Sequence, residues 1–378
     1  MAYKAIRAGT QKGRESERTC MADETDPVQR AGGNGDDLYD VVTWEERTLL
    51  DRVSVWLYSA LTTTARATVV VLSLLIILAQ FAAAVGLVFV DRPIIAVYVL
   101  LSVVPALGLA LFIWKADVTK REPLELLVVT FALGFLFAGF AAVLNSISSG
   151  FFFGLAGEGA PGWLAVLAPA LFFFLIVGPV EETVKWLAIR LYAYRSTRFD
   201  AVVDGAVYGA MAGLGFATVE NALYISREVL TASQAASGAI FDSVALQTAA
   251  VRTFAGPGHV IYSAFAGYYL GLAKFNQENR GPIVVKGLLI AAVIHATYNT
   301  LVTNLASITG TLNVSTGLGF IAFVILYDGA LLWVLYRKLS AYQDAYVRTG
   351  ASDHEAVDAD DEGPGEKTTA TEGSGNSQ

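Results

Sequence analysis

GPVEETVKWLAIRLY, residues 178–192, sets two adjacent glutamates, Glu181 and Glu182, and a lysine, Lys185, inside a run rich in Leu, Ile, Val and Trp. With the apolar residues ahead of it, the segment 164–189 is long enough to cross the ~30 Å hydrocarbon core of a bilayer. Ionisable groups at that depth are costly and usually face the bundle interior or a wet cavity, so they mark a candidate site. Composition agrees with a membrane reading: 54% of the 378 residues are hydrophobic and 16% charged, with a mean hydropathy of +0.52. That balance is far from the soluble globular average.

Further runs of spanning length lie at 67–90, 94–114, 124–145, 202–225, 253–273, 286–304 and 316–336. The expected fold is therefore an all-α polytopic membrane protein of about eight transmembrane helices. Basic residues test the count, because positive charge favours the cytoplasmic side. Lys115, Lys120 and Arg121, then Arg190, Arg195 and Arg198, then Lys274, Arg280 and Lys286, and finally Arg337 and Lys338 follow alternate spans. The connections 146–161 and 305–315 hold none. Both termini are expected in the cytoplasm, with the bundle in the cell membrane.

More than half of the 34 acids fall before residue 52 or after residue 350, so the net charge of −8 belongs mainly to the ends. This pattern excludes a nucleic-acid binder. Residues 1–42 and 339–378 read as polar, disordered tails, and 67–338 as the membrane domain. Between them, 43–66 carries a Thr43-to-Glu46 capping-box pattern and apolar residues at Leu49, Leu50, Val53, Trp56, Leu57 and Leu61. It reads as an amphipathic helix, lying on the cytoplasmic leaflet or docked on the bundle's own loops. Cys20 is the single cysteine, which leaves no intrachain disulfide and no thiolate metal cluster. No secretory signal precedes the first long apolar run.

The other polar residues at membrane depth are Glu220, His259, His295, Asn299 and Asp328. Gly205, Gly209 and Gly213 recur every four residues, the small-residue row that lets membrane helices approach closely. Glu220 follows seven residues after Gly213, on roughly the same face. His295 and Asn299, four apart, also share a face. Each has a plain structural reading as an ion pair or an interhelical hydrogen bond. Two carboxylates, two imidazoles and an amide together are more than structural glue needs.

These residues resemble the PrsW family of intramembrane proteases, relatives of the CAAX-prenyl and bacteriocin-processing proteases. The family pattern is Glu-Glu-x-x-Lys, Phe-x-x-x-Glu, a later histidine, then His-x-x-x-Asn. Here it stands as Glu181, Glu182 and Lys185; Phe216 and Glu220; His259; and His295 with Asn299, in that order on four successive spans. CAAX-type relatives carry an arginine one residue further on and a histidine at the place of Glu220, which favours the PrsW branch. The resemblance covers roughly 164–304. It implies a peptidase whose substrate is another membrane protein within the lipid bilayer, such as a single-pass regulatory protein. Other protease signatures are missing: there is no His-Glu-x-x-His and no Gly-x-Ser-Gly, and the Gly-x-Gly-Asp at Gly33–Asp36 falls in the polar tail.

Amide hydrolysis needs an activated water, an oxyanion donor and a proton for the leaving nitrogen. Glu181 is the candidate base, Glu182 the second carboxylate and Lys185 the charge balance, with Glu220, His259, His295 and Asn299 completing the site. Two readings stay open. The groups work without a cofactor, or His259, His295 and Glu220 hold a divalent metal such as zinc, with a water in the open position. From other classes, an ion- or proton-coupled transporter or a membrane scaffold would also place polar groups at the midplane. No inverted repeat of the transporter kind is visible.

Overall fold

The structure, a computed structural model, describes residues 26–30, 37–62, 93–117, 119–157, 159–235 and 238–349. The expected first span, 67–90, lies outside them. The helices are α1 (Leu49–Thr62), α2 (Pro93–Lys115), α3 (Leu124–Leu155), α4 (Gly162–Phe172), α5 (Gly178–Leu191), α6 (Val202–Ala235), α7 (Gly238–Phe275), α8 (Arg280–Thr303), α9 (Leu305–Thr311) and α10 (Thr316–Arg348). Among the described residues there is no strand, and six segments are long and apolar enough to cross a membrane: Val97–Lys115, Leu124–Leu155, Gly162–Arg195, Val202–Glu228, Gln277–Thr303 and Thr316–Arg348. The chain is a multi-pass, all-α membrane protein.

The segments differ in what surrounds them. The apolar window of the α6 segment is 83% buried, whereas those of α2 and α10 are 22% buried. Leu100, Leu326 and Trp333 are accordingly exposed, as lipid-facing side chains are. The expected span 253–273 is helical within α7, yet α7 is not among the six. His259, Pro257 and several Gly and Tyr residues lower the apolarity of that span, and because its residues from Val260 to Ala273 are almost all buried in protein, it does not need a lipid-compatible surface.

α6 and α7 form the centre, and α3 and α2 also pack on α6. The glycine row explains how closely they meet. A methyl group at Gly205, Gly209 or Gly213 would collide with the backbone carbonyls of Gly267, Ser263 and His259 on α7. Gly209→Leu is therefore expected to destabilise the fold by about 3 kcal/mol or more, read as a lowered melting temperature in detergent. Gly108→Leu, on α2 with open space around it, leaves the melt unchanged.

Ordered contacts reach into both stretches expected as tails. The 1–42 stretch is not tail throughout: Val28, Leu38 and Val42 are buried, and Asp40, with a left-handed φ of 62°, accepts from Lys286 (2.7 Å), Lys338 (2.6 Å) and the Tyr269 hydroxyl (2.9 Å). Asp tolerates that backbone region better than most residues. Nor does the C-terminal tail begin at 339, because α10 runs on to Arg348 and buries Leu339, Tyr342 and Tyr346. Both stretches carry charge, but its pairing across elements is invisible to composition.

α1 also begins later than its capping pattern suggests. The box forms at Thr48 and Asp51: the Thr48 amide donates to Asp51 (2.6 Å) and the Asp51 amide to the Thr48 hydroxyl (3.1 Å). The helix packs on α8, with Asp51 turned inward to Lys286 at 2.8 Å. Leu49, Val53 and Trp56 stay exposed, so the apolar face points away from the bundle, as an interfacial helix requires. Burial alone would raise the Asp51 carboxyl, but hydrogen bonds from Lys286, Tyr39 and Thr48 hold it well below the usual carboxylate range.

Candidate active site

Glu181, Glu182 and Lys185 sit just after a break in the helix. α4 ends at Phe172, a π turn covers Phe173–Val177, and α5 starts at Gly178. Pro179 has no amide hydrogen for the helix ladder and its ring crowds the carbonyl four residues back, so the wider turn absorbs the misfit. Such bulges recur at functional sites. Gly178 then allows α5 to approach α8 at the Ala292 carbonyl, where any side chain would clash. That contact lies three residues before His295.

Glu181, Glu182 and Lys185 are all buried. Glu181 Oε1 accepts from the Asn145 amide at 2.9 Å. Its Oε2 has no hydrogen-bond partner, and lies 3.7 Å from His295 Nε2 and 3.9 Å from Lys185 Nζ. Glu182 Oε1 is shared between Lys185 Nζ (2.7 Å) and His295 Nδ1 (2.8 Å). Lys185 Nζ also meets His259 Nδ1 at 3.0 Å and stands 4.3 Å over the Phe216 ring. One ammonium thus ties the tandem glutamates of α5 to α6 and α7.

On the far side of His259, Nε2 contacts Glu220 at 2.5 Å, and Arg252 reaches the same carboxylate oxygen at 2.6 Å. The two imidazole rings are edge to face at 5.1 Å between centroids. Tyr262 lies against His295, with centroids 5.3 Å apart, and donates to Asp328 at 3.0 Å. Asn299 is half-buried one turn beyond His295 and makes no hydrogen bond to the cluster among the described residues. Of the seven residues named from sequence, six therefore meet in one connected group and Asn299 borders it.

Glu220 is the carboxylate expected from sequence beside the two imidazoles as a metal ligand. The three groups whose ligand atoms fall within 4.8 Å of one another are Glu181, His259 and His295, while Glu220 is held by Arg252. Two imidazoles and a carboxylate are a donor set that suits zinc, and to join it His259 would exchange its contact with Lys185 or with Glu220 for the ion. Charge points the same way. Three carboxylates, Glu181, Glu182 and Glu220, face two fixed cations, Lys185 and Arg252. One negative charge is left for a protonated imidazole or a bound cation to balance, and Glu181 Oε2 is the oxygen without a partner.

Three contributors escaped the sequence reading. Asn145 ends the expected third span and looks like an ordinary boundary residue. Arg252, which the charge pattern assigns to a connection, lies within α7 and also bonds Asn221 through its Nε at 2.9 Å. Tyr262 carries no signal beyond being three residues, nearly one turn, past His259.

Residues 122–330 match the family model of PrsW family intramembrane metalloproteases. The chain is 28% identical over 200 residues to Protease PrsW of Halalkalibacterium halodurans, covering 52% of this chain and 80% of that protein. It is 29% identical over 199 residues to Protease PrsW of Geobacillus kaustophilus (52% and 76%) and 25% identical over 214 residues to Protease PrsW of Bacillus subtilis (54% and 83%). No solved structure matches the chain.

Proposed function

We propose, for a chain that belongs to the PrsW family of intramembrane metalloproteases, that it cuts membrane-protein substrates, single-pass regulatory proteins among them, with a water activated by a buried glutamate. One observation carries this reading: Glu181 Oε2 is buried without a hydrogen-bond partner and faces His295 Nε2 at 3.7 Å. A carboxylate so placed can take a proton from water. Asn145 fixes its other oxygen, and Lys185 holds the surrounding negative charge. His295, held through Nδ1 by Glu182, turns Nε2 to the same space, and Asn299 borders it as a donor for the developing oxyanion.

A divalent metal, zinc by donor type, would be held by Glu181, His259 and His295, and when bound supplies Lewis-acid polarisation and a more acidic water. Were Glu181 engaged by such an ion, Glu182, whose Oε2 is also without a partner, would be the carboxylate left to take the proton.

With the termini in the cytoplasm, Glu220, His259 and Asn299 lie toward the extracytoplasmic half of the cell membrane. A helical peptide bond must be unwound before attack, and water helps most near that boundary. Terminal-peptide mapping of membranes carrying the wild type or Glu181→Gln is expected to yield new termini only with the wild type. They fall in the outer half of a substrate's span or its adjoining stalk. Identical termini in both strains would remove the proteolytic reading, and cuts confined to the cytoplasmic half would remove the depth assignment alone.

A further inference from the structure

At the other end of α6, the connection 116–123 and the first turn of α6 bring together a second set of carboxylates. One oxygen from each of Asp117, Glu122 and Asp204 lies within 4.8 Å of the others. Local hydrogen bonds hold two of them by one oxygen and leave the other. Asp117 Oδ1 accepts from the amide and the hydroxyl of Thr119, both at 2.8 Å, and its Oδ2 has no hydrogen-bond partner. Asp204 Oδ2 accepts from the amides of Asp200 (2.7 Å) and Ala201 (2.9 Å), while Oδ1 receives only a long contact from Thr119 at 3.4 Å. Glu122 is 3% exposed, and its carboxyl finds a side-chain partner only inside the cluster, at Asp117.

A group of another kind joins them. Tyr208 follows Asp204 by one helical turn, on the same face of α6. It is 0% exposed, and its hydroxyl too lacks a hydrogen-bond partner. Buried polar atoms are nearly always satisfied. Three carboxylates within 4.8 Å of one another, with an unpartnered buried hydroxyl on the same helix face, call for an occupant that accepts lone pairs, and a cation does so for all of them at once.

We propose that Asp117, Glu122, Asp204 and Tyr208 form a binding site for a hard divalent cation, magnesium or calcium. An all-oxygen donor set favours these ions over zinc or copper, in contrast to the imidazole-containing site. Bound there, the ion offsets the mutual repulsion of three carboxylates and clips the 116–123 connection to the start of α6. Sixteen residues of α6, about 24 Å of helix, separate Asp204 from Glu220, so the ion touches no reacting group. Its effect on proteolysis passes through the position of α6.

Terbium luminescence sensitised by tyrosine tests the site, using the full chain in detergent and a His295→Ala background that weakens the imidazole site. Saturable emission that calcium or magnesium displaces is expected, and Glu122→Gln and Asp117→Asn each reduce it at least tenfold. In the same background, calcium or magnesium raises the melting temperature and fails to do so in either variant. If Glu122→Gln does not fold, Asp117→Asn, half-buried in a connection and able to keep its bonds from Thr119, decides alone. Absence of saturable emission, or emission and melting shifts that survive the folded variants, overturns the proposal.

Discussion

Glu181→Gln is expected to lower cleavage about a thousandfold or more while the protein accumulates and melts as the wild type does. Glutamine keeps the shape of the side chain, and its carbonyl oxygen still accepts from Asn145, which now meets Glu181 at 2.9 Å. What it loses is the proton affinity of Oε2, an oxygen that no hydrogen bond uses for structure. Glu182→Gln behaves differently. Its Oε1 serves Lys185 and His295 at 2.7 and 2.8 Å, both in wholly buried surroundings. Removing that charge leaves the Lys185 ammonium short of a partner, and breaking a buried pair of this kind costs about 3–5 kcal/mol. Glu182→Gln is therefore expected to lose both activity and stability, and Lys185→Met likewise, since two carboxylates then face each other without their cation. Cleavage assays beside detergent melts separate the two behaviours. Glu181→Gln retaining activity within tenfold of wild type would dismiss it as the base, and equal destabilisation by Glu181→Gln and Glu182→Gln would return the tandem pair to structural glue.

The cluster was legible from sequence because ionisable residues in apolar runs are conspicuous, and because helical spacing turns positions such as His295 and Asn299 into a shared face. The glycine row was legible for the same reason, and it does seat α6 on α7. Asn145 and Arg252 were not, since each stands near an expected span boundary where polar residues need no explanation. The choice between Glu220 and Glu181 beside the imidazoles depends on which carboxylate Arg252 captures, a contact between different helices that no spacing rule reports. The docking of Asp40 between Lys286 and Lys338 fails the same way. Composition reads such a segment as a solvated tail, because the partners that offset its charge lie more than two hundred residues away.

Stripping divalent metal from the purified protein is expected to abolish cleavage, and zinc to restore it. The site's own charges lead to this result. Glu181, His259 and His295 place one carboxylate oxygen and two imidazole nitrogens within 4.8 Å of one another, and the surrounding carboxylates exceed their fixed cations by one. Glu182 Oε1 lies on His295 Nδ1 at 2.8 Å, the carboxylate-to-imidazole contact that orients a ligating ring and typically sustains metal affinity about 10–100-fold. His295 Nε2 is then the nitrogen that faces Glu181. Metal content measured by mass spectrometry is expected to be about one zinc per chain in the wild type and far lower in His295→Ala, with both proteins folded. Proteolysis that persists at full rate once the metal has been removed would leave the water to Glu181 alone. The unpartnered oxygen would then be there to receive a proton, and the extra negative charge would be balanced by a protonated imidazole.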